Sequence, residues 1–395
     1  MPIEDLFENP LVAKHLPVAV RHQLERFGEH LSLLTEMRNP RVLRRIGPSA
    51  VRGLILKQGV RDEPARIVSA HETFIDWQLR SDSPELQALY QKAKRLQWNG
   101  ATDLDWSINV EPESNENALL PDDFLAWDYF ESLGLHMTPK DRRHRLHQVL
   151  GWMLSQFLHG EQGALMAAAQ VTECVPFTDG KFYGATQVVD EARHVEVFHR
   201  YLETKLGATF PINDNLFTII DSLLRDSRWD MKFLGMQIMV EGLALGAFSM
   251  MHKLTKEPLL RELLRRVIHD EARHVSYGVH ALKHVYTREF SENERRERED
   301  WAFEVALLMR NRFLVHELYE SDFQQMMTRR QWNEMVDRSP GMRAFRTTMF
   351  SRLVPNLREI GLLTDRILPH YKRVGLAQYM NGRSATQIEA EELVR

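Results

Sequence analysis

A six-residue sequence, Asp-Glu-Ala-Arg-His-Val, occurs twice in this chain of 395 residues, over 190–195 and again over 270–275. Within each copy the Glu and the His are three residues apart, so on an α-helix they project from one face and can bind one ion together. Self-similarity of this length indicates a shared role for the two segments. The repeat therefore predicts two helices that each carry a Glu-x-x-His pair: Glu191 with His194, and Glu271 with His274.

The helix faces that carry these pairs are apolar. Leu264 and Val267 precede Glu271 on its face, and Phe198 follows His194 by one turn. An isolated carboxylate is too costly to bury in such surroundings unless it is neutralised or coordinated. The pairs therefore predict ligands of a cation inside the protein.

A third Glu-x-x-His pair, Glu196 with His199, does not belong to this set. At 3.6 residues per turn Glu196 lies about 140° from Glu191 around the helix, so its side chain points away from the face of the repeat. We predict that this third pair binds no ion.

Two further helices each offer one acidic residue on an apolar face. Glu161 is the only acid of a helix predicted over 143–172, and Glu241 is the only acid after Asp230 in a helix predicted over 228–255. Each of them precedes the Glu of a repeat by 30 residues, which places it level with that repeat in an antiparallel helix hairpin. The sequence thus predicts one site built from six side chains: Glu161, Glu191, His194, Glu241, Glu271 and His274.

The chemistry of this donor set points to two metal ions. Four carboxylates and two neutral imidazoles balance two divalent cations, which gives a neutral cluster that a dry core can hold. Cys174 is the only cysteine, so a disulfide framework, a Cys-rich zinc site and an iron–sulfur cluster held by several cysteines are excluded. Ligand softness does not separate Fe from Mn at such a site.

Apolar residues recur at spacings of three and four along the chain, so the sequence predicts an all-α protein. We divide it into N-terminal helices and a Trp-containing loop (1–142), a four-helix bundle (143–290), and C-terminal helices with a polar tail expected to fray (291–395). Helices are predicted over 11–37, 41–58, 63–79, 84–97, 143–172, 180–206, 228–255, 257–287, 291–318, 322–337, 341–360 and 363–374.

Charge and hydropathy exclude several classes of partner. Lys and Arg number 51 and Asp and Glu 55, a net charge of −4, so there is no overall electrostatic attraction to nucleic acid or to an anionic membrane. No run approaches about 18 uninterrupted apolar residues, and the first residues carry no basic segment followed by an apolar one. We therefore expect no membrane span and a cytoplasmic protein.

One Glu from each of two helices and a Glu-x-x-His from each of two others is the pattern of ferritin-like di-iron carboxylate proteins, and the chain resembles that superfamily over about 143–287. The repeated Asp-Glu-x-Arg-His resembles the hydroxylase subunits of bacterial multicomponent monooxygenases. The segment from Trp98 to Ser107 is similar to the Trp-rich segment of ribonucleotide reductase small subunits and their oxidase relatives. The resemblance implies a ferritin-like four-helix bundle with additional N- and C-terminal helices. It also implies two bound Fe ions, with Mn in one or both positions as the alternative.

The resemblance also implies roles for the residues around the ligands. Asp270 would hydrogen-bond His194, and Asp190 would hydrogen-bond His274, so that each Asp orients an imidazole of the other motif. The arginines three residues after each Asp would neutralise them: Arg193 and Arg273.

Two more residues are candidates beside the cluster. By the same resemblance Trp98 would contact Asp270 and form part of an electron route, although packing of a loop would also explain a Trp there. Gln237, one turn before Glu241, is predicted to face inward and to contact a ligand or the substrate.

The activity that the resemblance implies is that of an oxidase or monooxygenase that activates O2 for an apolar or acyl-type small molecule. The resemblance alone implies a homodimer. No Gly-rich dinucleotide motif is present, so we expect reducing equivalents to come from a separate electron donor or from the substrate itself. Residues that mark individual subfamilies are replaced here by Phe198, Ala244, Leu245 and Val267, so the subfamily stays open. The alternative is a ferroxidase or iron-storage protein, for which a four-helix unit of about half this length suffices. An apolar pocket is expected to be lined by Phe157, Leu158, Leu165, Phe198, Leu234, Ile238 and Leu245.

Overall fold

A computed structural model of the chain describes residues 17, 20–21, 23–26, 28, 39–61, 63–111 and 119–395. Every regular element within these ranges is helical. The α-helices are α1 Pro40–Ala50, α2 Pro84–Arg95, α3 Trp127–Ser132, α4 Pro139–Cys174, α5 Thr178–Tyr201, α6 Asp214–Arg225, α7 Trp229–Leu254, α8 Pro258–His284, α9 Glu292–Arg312, α10 His316–Leu318, α11 Arg329–Arg338, α12 Pro340–Glu359, α13 Leu368–Arg373 and α14 Ala390–Leu393.

Four long helices, α4, α5, α7 and α8, form a four-helix bundle with additional helices before and after it, which confirms the predicted all-α fold class. Helix α4 begins with a capping box in which Thr138 and Asp141 satisfy each other's backbone N–H groups. Helix α8 is capped by the preceding residue, Glu257, whose carboxylate accepts the N–H groups of Leu259 and Leu260. Strong N-terminal caps thus fix where two of the bundle helices start.

The order of the four helices follows from contacts between the two repeats. Asp190 contacts His274 and His194 contacts Asp270, so α5 and α8 run antiparallel. Short connections make antiparallel hairpins of α4 with α5 and of α7 with α8. Helices α5 and α7 therefore run in the same direction, and the connection over 207–228, which contains α6, must cross the length of the bundle.

Helix α7 is the core helix of the bundle. It is long and apolar enough to cross a membrane by length and composition, but 89% of its most apolar window is buried against the rest of the protein. Seven of its residues, Leu234–Val240, are π-helical and lead directly into Glu241. A π-helical segment often lies at a functional site, because it shifts the faces that the following residues present.

Helices outside the bundle cover it on two sides. Helix α2 packs on α5 and α8, and α12 packs along α7. The contact of α12 with α7 requires Gly246, because a Cβ atom at that position would lie 2.6 Å from Met349 Cα. This close approach holds the C-terminal helices against the helix that carries Glu241.

The helix predicted over 63–79 is wrong. Among the described residues this segment is extended and irregular, and it ends in a turn where the Asp76 carboxylate accepts the backbone N–H groups of Gln78 and Arg80. Leu79 has a φ of 51°, which breaks a right-handed helix. The side chain of Asp76 competes with the helical hydrogen bonds that the apolar spacing had suggested.

The polar tail does not fray as expected. Leu393 is 1% exposed on α14, which packs on α8, and His252 Nε2 lies 3.2 Å from Val394 O. An ion pair between Arg383 and Glu392 (2.7 Å) joins the two ends of the segment over 383–392. The predicted helix over 11–37 lies largely outside the described residues, and the one predicted over 363–374 is shorter, at Leu368–Arg373.

Candidate metal centre

The structure brings all six predicted side chains together in the middle of the bundle. None of the six residues is more than 4% exposed. Their donor atoms form two groups, and within each group the atoms lie within 4.8 Å of one another. Glu191 belongs to both groups, which are Glu161, Glu191, His194 and Glu271, and Glu191, Glu241 and His274.

His194 turns its Nδ1 towards three carboxylates. Nδ1 lies 3.4 Å from Glu161 Oε2, 3.2 Å from Glu271 Oε1 and 3.6 Å from Glu191 Oε2. Donor atoms that share one metal ion at 2.0–2.2 Å are typically about 3 Å apart, so these separations suit a common ion.

His274 mirrors this arrangement on the other side of Glu191. Its Nδ1 lies 3.1 Å from Glu191 Oε1 and 3.6 Å from Glu271 Oε1. Both Glu191 and Glu271 therefore face both imidazoles, whereas Glu161 lies on one side and Glu241 on the other. Two adjacent ion positions that share carboxylates satisfy this geometry.

Several buried carboxylate oxygens and one imidazole nitrogen of the cluster have no hydrogen-bond partner in the described part of the chain. They are acceptors that converge on one space, and leaving each of them unsatisfied in a core would cost about 1–3 kcal/mol. The residues therefore fit a pair of cations better than they fit a closed hydrogen-bond network. These atoms are Glu191 Oε2, Glu241 Oε2, both carboxylate oxygens of Glu271, and His274 Nδ1.

Burial and charge act differently on the individual ligand candidates. Burial raises the pKa of Glu161 and that of Glu241 well above the usual range. Burial also acts to raise the pKa of Glu191, but His274 and His194 outweigh it and lower that pKa. Glu191, between the two imidazoles, therefore stays ionised more readily than Glu161 or Glu241.

Each imidazole is held from behind by an aspartate of the opposite motif. His194 Nε2 lies 3.1 Å from Asp270 Oδ2, and His274 Nε2 lies 3.3 Å from Asp190 Oδ2. Because a carboxylate accepts, Nε2 carries the proton and Nδ1 presents its lone pair to the cluster. Burial alone would lower the pKa of His194, but the hydrogen bond with Asp270 and the nearby Glu161 carboxylate raise it.

Two arginines neutralise this pair of aspartates. Arg193 Nη2 donates to Asp270 Oδ2 at 3.1 Å and also to Asp190, while Arg273 Nη2 donates to Asp190 Oδ2 at 3.2 Å and also to Asp270. Each guanidinium thus contacts both carboxylates, and the four side chains carry no net charge. The aspartates can remain ionised behind the histidines because this layer is neutral.

Trp98 lies against the same layer. Its Nε1 donates to Asp270 Oδ2 at 2.8 Å. The guanidinium carbons of Arg193 and Arg266 lie 4.7 Å and 5.4 Å from the centre of its ring. A continuous chain of contacts therefore runs from Trp98 through Asp270 to His194.

Gln187 is a residue of the site that the sequence analysis missed. Its Nε2 donates to Glu191 Oε1 at 3.0 Å and to Glu241 Oε1 at 2.8 Å, so it joins two ligand candidates on different helices. Gln237 is fully buried as predicted, but its Nε2 reaches Gln187 Oε1 at 3.4 Å and not a carboxylate. The position of Gln187, one turn before Glu191 on the same face, is the signal that would have revealed it.

A narrow cavity of about 30 Å³ reaches the cluster between α4 and α7, with room for about one water molecule. It ends at Glu161, Glu241 and Glu271. Phe157 lines it, but the other six residues expected to do so pack elsewhere, because the open side of the cluster faces α9 and α12. Its remaining walls are Trp152, Met153, Gln156, Gly160, Ala164, Val240, Leu243, Ala244, Ala247, Phe248, Arg312, Phe313, Phe345 and Met349.

The rejected pair, Glu196 with His199, is exposed on the outer face of α5. The prediction that Glu196 points away from the face that carries Glu191 is therefore confirmed.

No model of a protein family matches the chain, and no curated protein does. Among solved structures, the chain is similar to R2-like ligand-binding oxidases. Two mutants reconstituted with a Mn/Fe cofactor show 17% and 18% identity and TM-scores of 0.48 and 0.47, and they cover 73% and 74% of this chain and 95% and 99% of their own. A metal-free form shows 18% identity and a TM-score of 0.44, with coverage of 73% of this chain and 99% of its own. Similarity at this level assigns no family, so the function must be argued from the side chains themselves.

Proposed function

We propose that the protein is an oxygen-activating di-metal oxidase or monooxygenase that acts on an apolar or partly apolar organic substrate. The ligands would be Glu161, Glu191, His194, Glu241, Glu271 and His274. The observation that supports this proposal is the convergence of buried, unpartnered donor atoms from four helices on one space. Bound there, two iron ions or a Mn/Fe pair would supply the electrons and the Lewis acidity needed to reduce O2.

The protein's own residues would prepare the site for this chemistry. Asp190 and Asp270 hold the two imidazoles with Nδ1 towards the cluster, so the side chains would need little reorganisation to bind a metal ion. Gln187 holds one oxygen of Glu191 and one of Glu241, which leaves the other oxygen of each carboxylate directed into the centre. The donor set is therefore oriented before any ion arrives.

The surroundings of the cluster favour an apolar substrate. The rings of Phe157 and Phe248, which both line the cavity, pack edge to face at 4.7 Å. Phe198 stacks on Phe248 at 5.6 Å without lining the cavity itself. Such a lining excludes bulk water and leaves a narrow approach for a small molecule. Reducing equivalents would come from a separate electron donor, and the contacts of Trp98 with Asp270 offer a route inward. A homodimer and a cytoplasmic location are parts of the same proposal.

Metal analysis and oxygen uptake of the ferrous-loaded protein test this function. We expect two metals per chain and substrate-dependent oxygen uptake in the wild type, with both reduced in Glu191→Ala and in Glu271→Ala. Glu196→Gln is the matched control, because it changes an exposed Glu of a Glu-x-x-His pair on the same helix as Glu191. Retention of two metals in both alanine variants would refute the ligand assignment.

The same experiment separates the oxidase from a ferroxidase or storage protein. A storage protein would oxidise added ferrous iron continuously and retain far more than two ions per chain. An oxidase would stop at two and would consume further oxygen only with an organic substrate and an electron source.

A further inference from the structure

Arg312, the last residue of α9, lines the same cavity as the carboxylates of the cluster. Its Nε is buried and donates no hydrogen bond to any residue that the structure describes. Within the described part of the chain, the guanidinium makes one hydrogen bond, from Nη1 to Met309 Sδ at 3.7 Å, and one ring contact, with Phe313 at 5.6 Å. A thioether is a weak acceptor, so this cation has no partner that matches its charge.

Glu317, the acidic group whose charge acts on Arg312, is already engaged. Its Oε2 accepts Trp152 Nε1 at 3.1 Å, and its Oε1 accepts Asn213 Nδ2 at 2.7 Å. Burial raises the pKa of Glu317, which weakens it further as a counter-ion. Burial lowers the pKa of Arg312 to about 10, but the group is still a cation at neutral pH. A partly buried guanidinium without a counter-ion is costly unless a ligand supplies the anion.

The position of Arg312 relative to the cluster follows from α4. Trp152 contacts Glu317, which lies close to Arg312 in the chain, whereas Glu161 is at the other end of the cavity. Nine residues of helix separate Trp152 from Glu161, a distance of about 13 Å along the axis. Between the two ends the walls are mainly apolar and include Met153, Phe157, Leu243, Ala247, Phe248 and Met349.

We propose that Arg312 binds the carboxylate of an organic acid whose apolar body lies along this cavity and reaches the carboxylate–histidine cluster. This inference rests on the proposed function and names its substrate class. A guanidinium presents paired N–H donors that match a carboxylate. Arg312 is the only cationic side chain among the described residues that line the cavity, which suits one negative charge better than a phosphate dianion.

The cavity must widen to admit such a molecule, and its walls allow this. Met153 and Met349 are unbranched side chains that can take other rotamers. A Cβ atom added at Gly160 would meet no atom within 4 Å, so the wall beside Glu161 has free space. The proposal therefore requires these side chains to move when the ligand binds.

Calorimetric binding of decanoate, decanol and decylammonium tests the proposal without turnover. These probes share one chain and differ only in the end group. We expect the wild type to bind decanoate at least about tenfold more tightly than decanol, because a hydrogen bond to a charged group is worth more than a neutral one, and decylammonium most weakly. Arg312→Gln should abolish the preference for decanoate, and Arg312→Lys should retain part of it.

Arg352→Gln is the matched control. Arg352 is also half-buried with an unpartnered Nε, but it lines a different cavity beside Arg383. This variant should keep the full preference for decanoate. Thermal unfolding of each variant, with the wild type beside it, shows whether a lost preference reflects loss of the fold.

Three results would overturn the proposal. The wild type could fail to prefer decanoate, the preference could survive in Arg312→Gln, or it could disappear only when the metals are removed, which would place the carboxylate on the ions. A different result would refute only the proposed function: the protein would bind no pair of metals, but the preference for decanoate that depends on Arg312 would persist. Ala244→Phe, which fills the inner part of the cavity, should weaken decanoate and decanol equally.

Discussion

Replacement of Asp270 by Asn should destabilise the protein far more than the loss of one negative charge from its surface. The carboxylate lies within hydrogen-bonding distance of Trp98 Nε1 (2.8 Å), Arg193 Nη2 (3.1 Å), His194 Nε2 (3.1 Å) and Arg273 Nη2. Burial acts to raise the pKa of Asp270, but His194 and the guanidinium groups hold it well below its usual range. The four contacts thus stabilise the charged form specifically.

The amide of Asn keeps the shape of the side chain but not its charge. One of its two terminal atoms becomes a donor facing other donors, and Asp190 is left as the only counter-ion for two buried guanidinium groups. Removing one partner of a buried ion network costs about 3–5 kcal/mol. The metal affinity should also fall by about 10–100-fold, because His194 loses the acceptor that fixes its orientation.

Equilibrium urea denaturation of the metal-free protein measures this loss as a change in midpoint at constant slope. Asp337→Asn is the control: Asp337 is 65% exposed and pairs with Arg346 at 2.8 Å, so its replacement should cost no more than about 1 kcal/mol. If Asp270→Asn and Asp337→Asn lower the free energy of unfolding by the same amount, the aspartate–arginine layer does not hold the site as argued.

Three further outcomes are expected. Burial raises the pKa of Glu161 and of Glu241, so these groups retain protons to higher pH than usual. Metal binding must therefore release protons, which an indicator dye in weak buffer would show, and the metal affinity should rise with pH. Gly246→Ala should lower the midpoint of thermal unfolding because its Cβ would lie 2.6 Å from Met349 Cα, whereas Gly160→Ala, with open space around its Cβ, should leave it unchanged or raise it. Removal of metal with a chelator should lower the unfolding temperature while far-ultraviolet circular dichroism keeps its helical form; a coil spectrum would contradict the pre-oriented site.

The polar side chains inside the bundle could be predicted from sequence, because the helical period of 3.6 residues shows which residues share one face of a helix. Glu161 and Glu241 stand out as single acids on apolar faces, and the repeat supplies the pairs, so the meeting of all six side chains followed from two facts about a helix. The contact of Asp270 with His194 needed the resemblance, since no spacing within one helix shows which residue a second helix brings opposite it.

Other features were beyond this reasoning for identifiable reasons. The segment over 63–79 has helical apolar spacing, but the turn at Asp76 depends on a side chain that competes with the backbone. The open side of the cluster depends on how α9 and α12 pack across α7, which no local pattern encodes. Arg312 escaped notice because an arginine at the end of a charged helix looks like a solvated residue until the fold turns it into the cavity.

The neutrality of the aspartate–arginine layer determines how many positive charges the site can accept. Asp190 and Asp270 are balanced by Arg193 and Arg273, so the layer behind the histidines adds no net charge. The four buried glutamates then require four positive charges from elsewhere, which two divalent ions supply and one does not. With a single ion the core would retain two uncompensated charges, a state disfavoured by burial. The raised pKa of Glu161 and of Glu241 favours proton binding at these groups until a second ion binds.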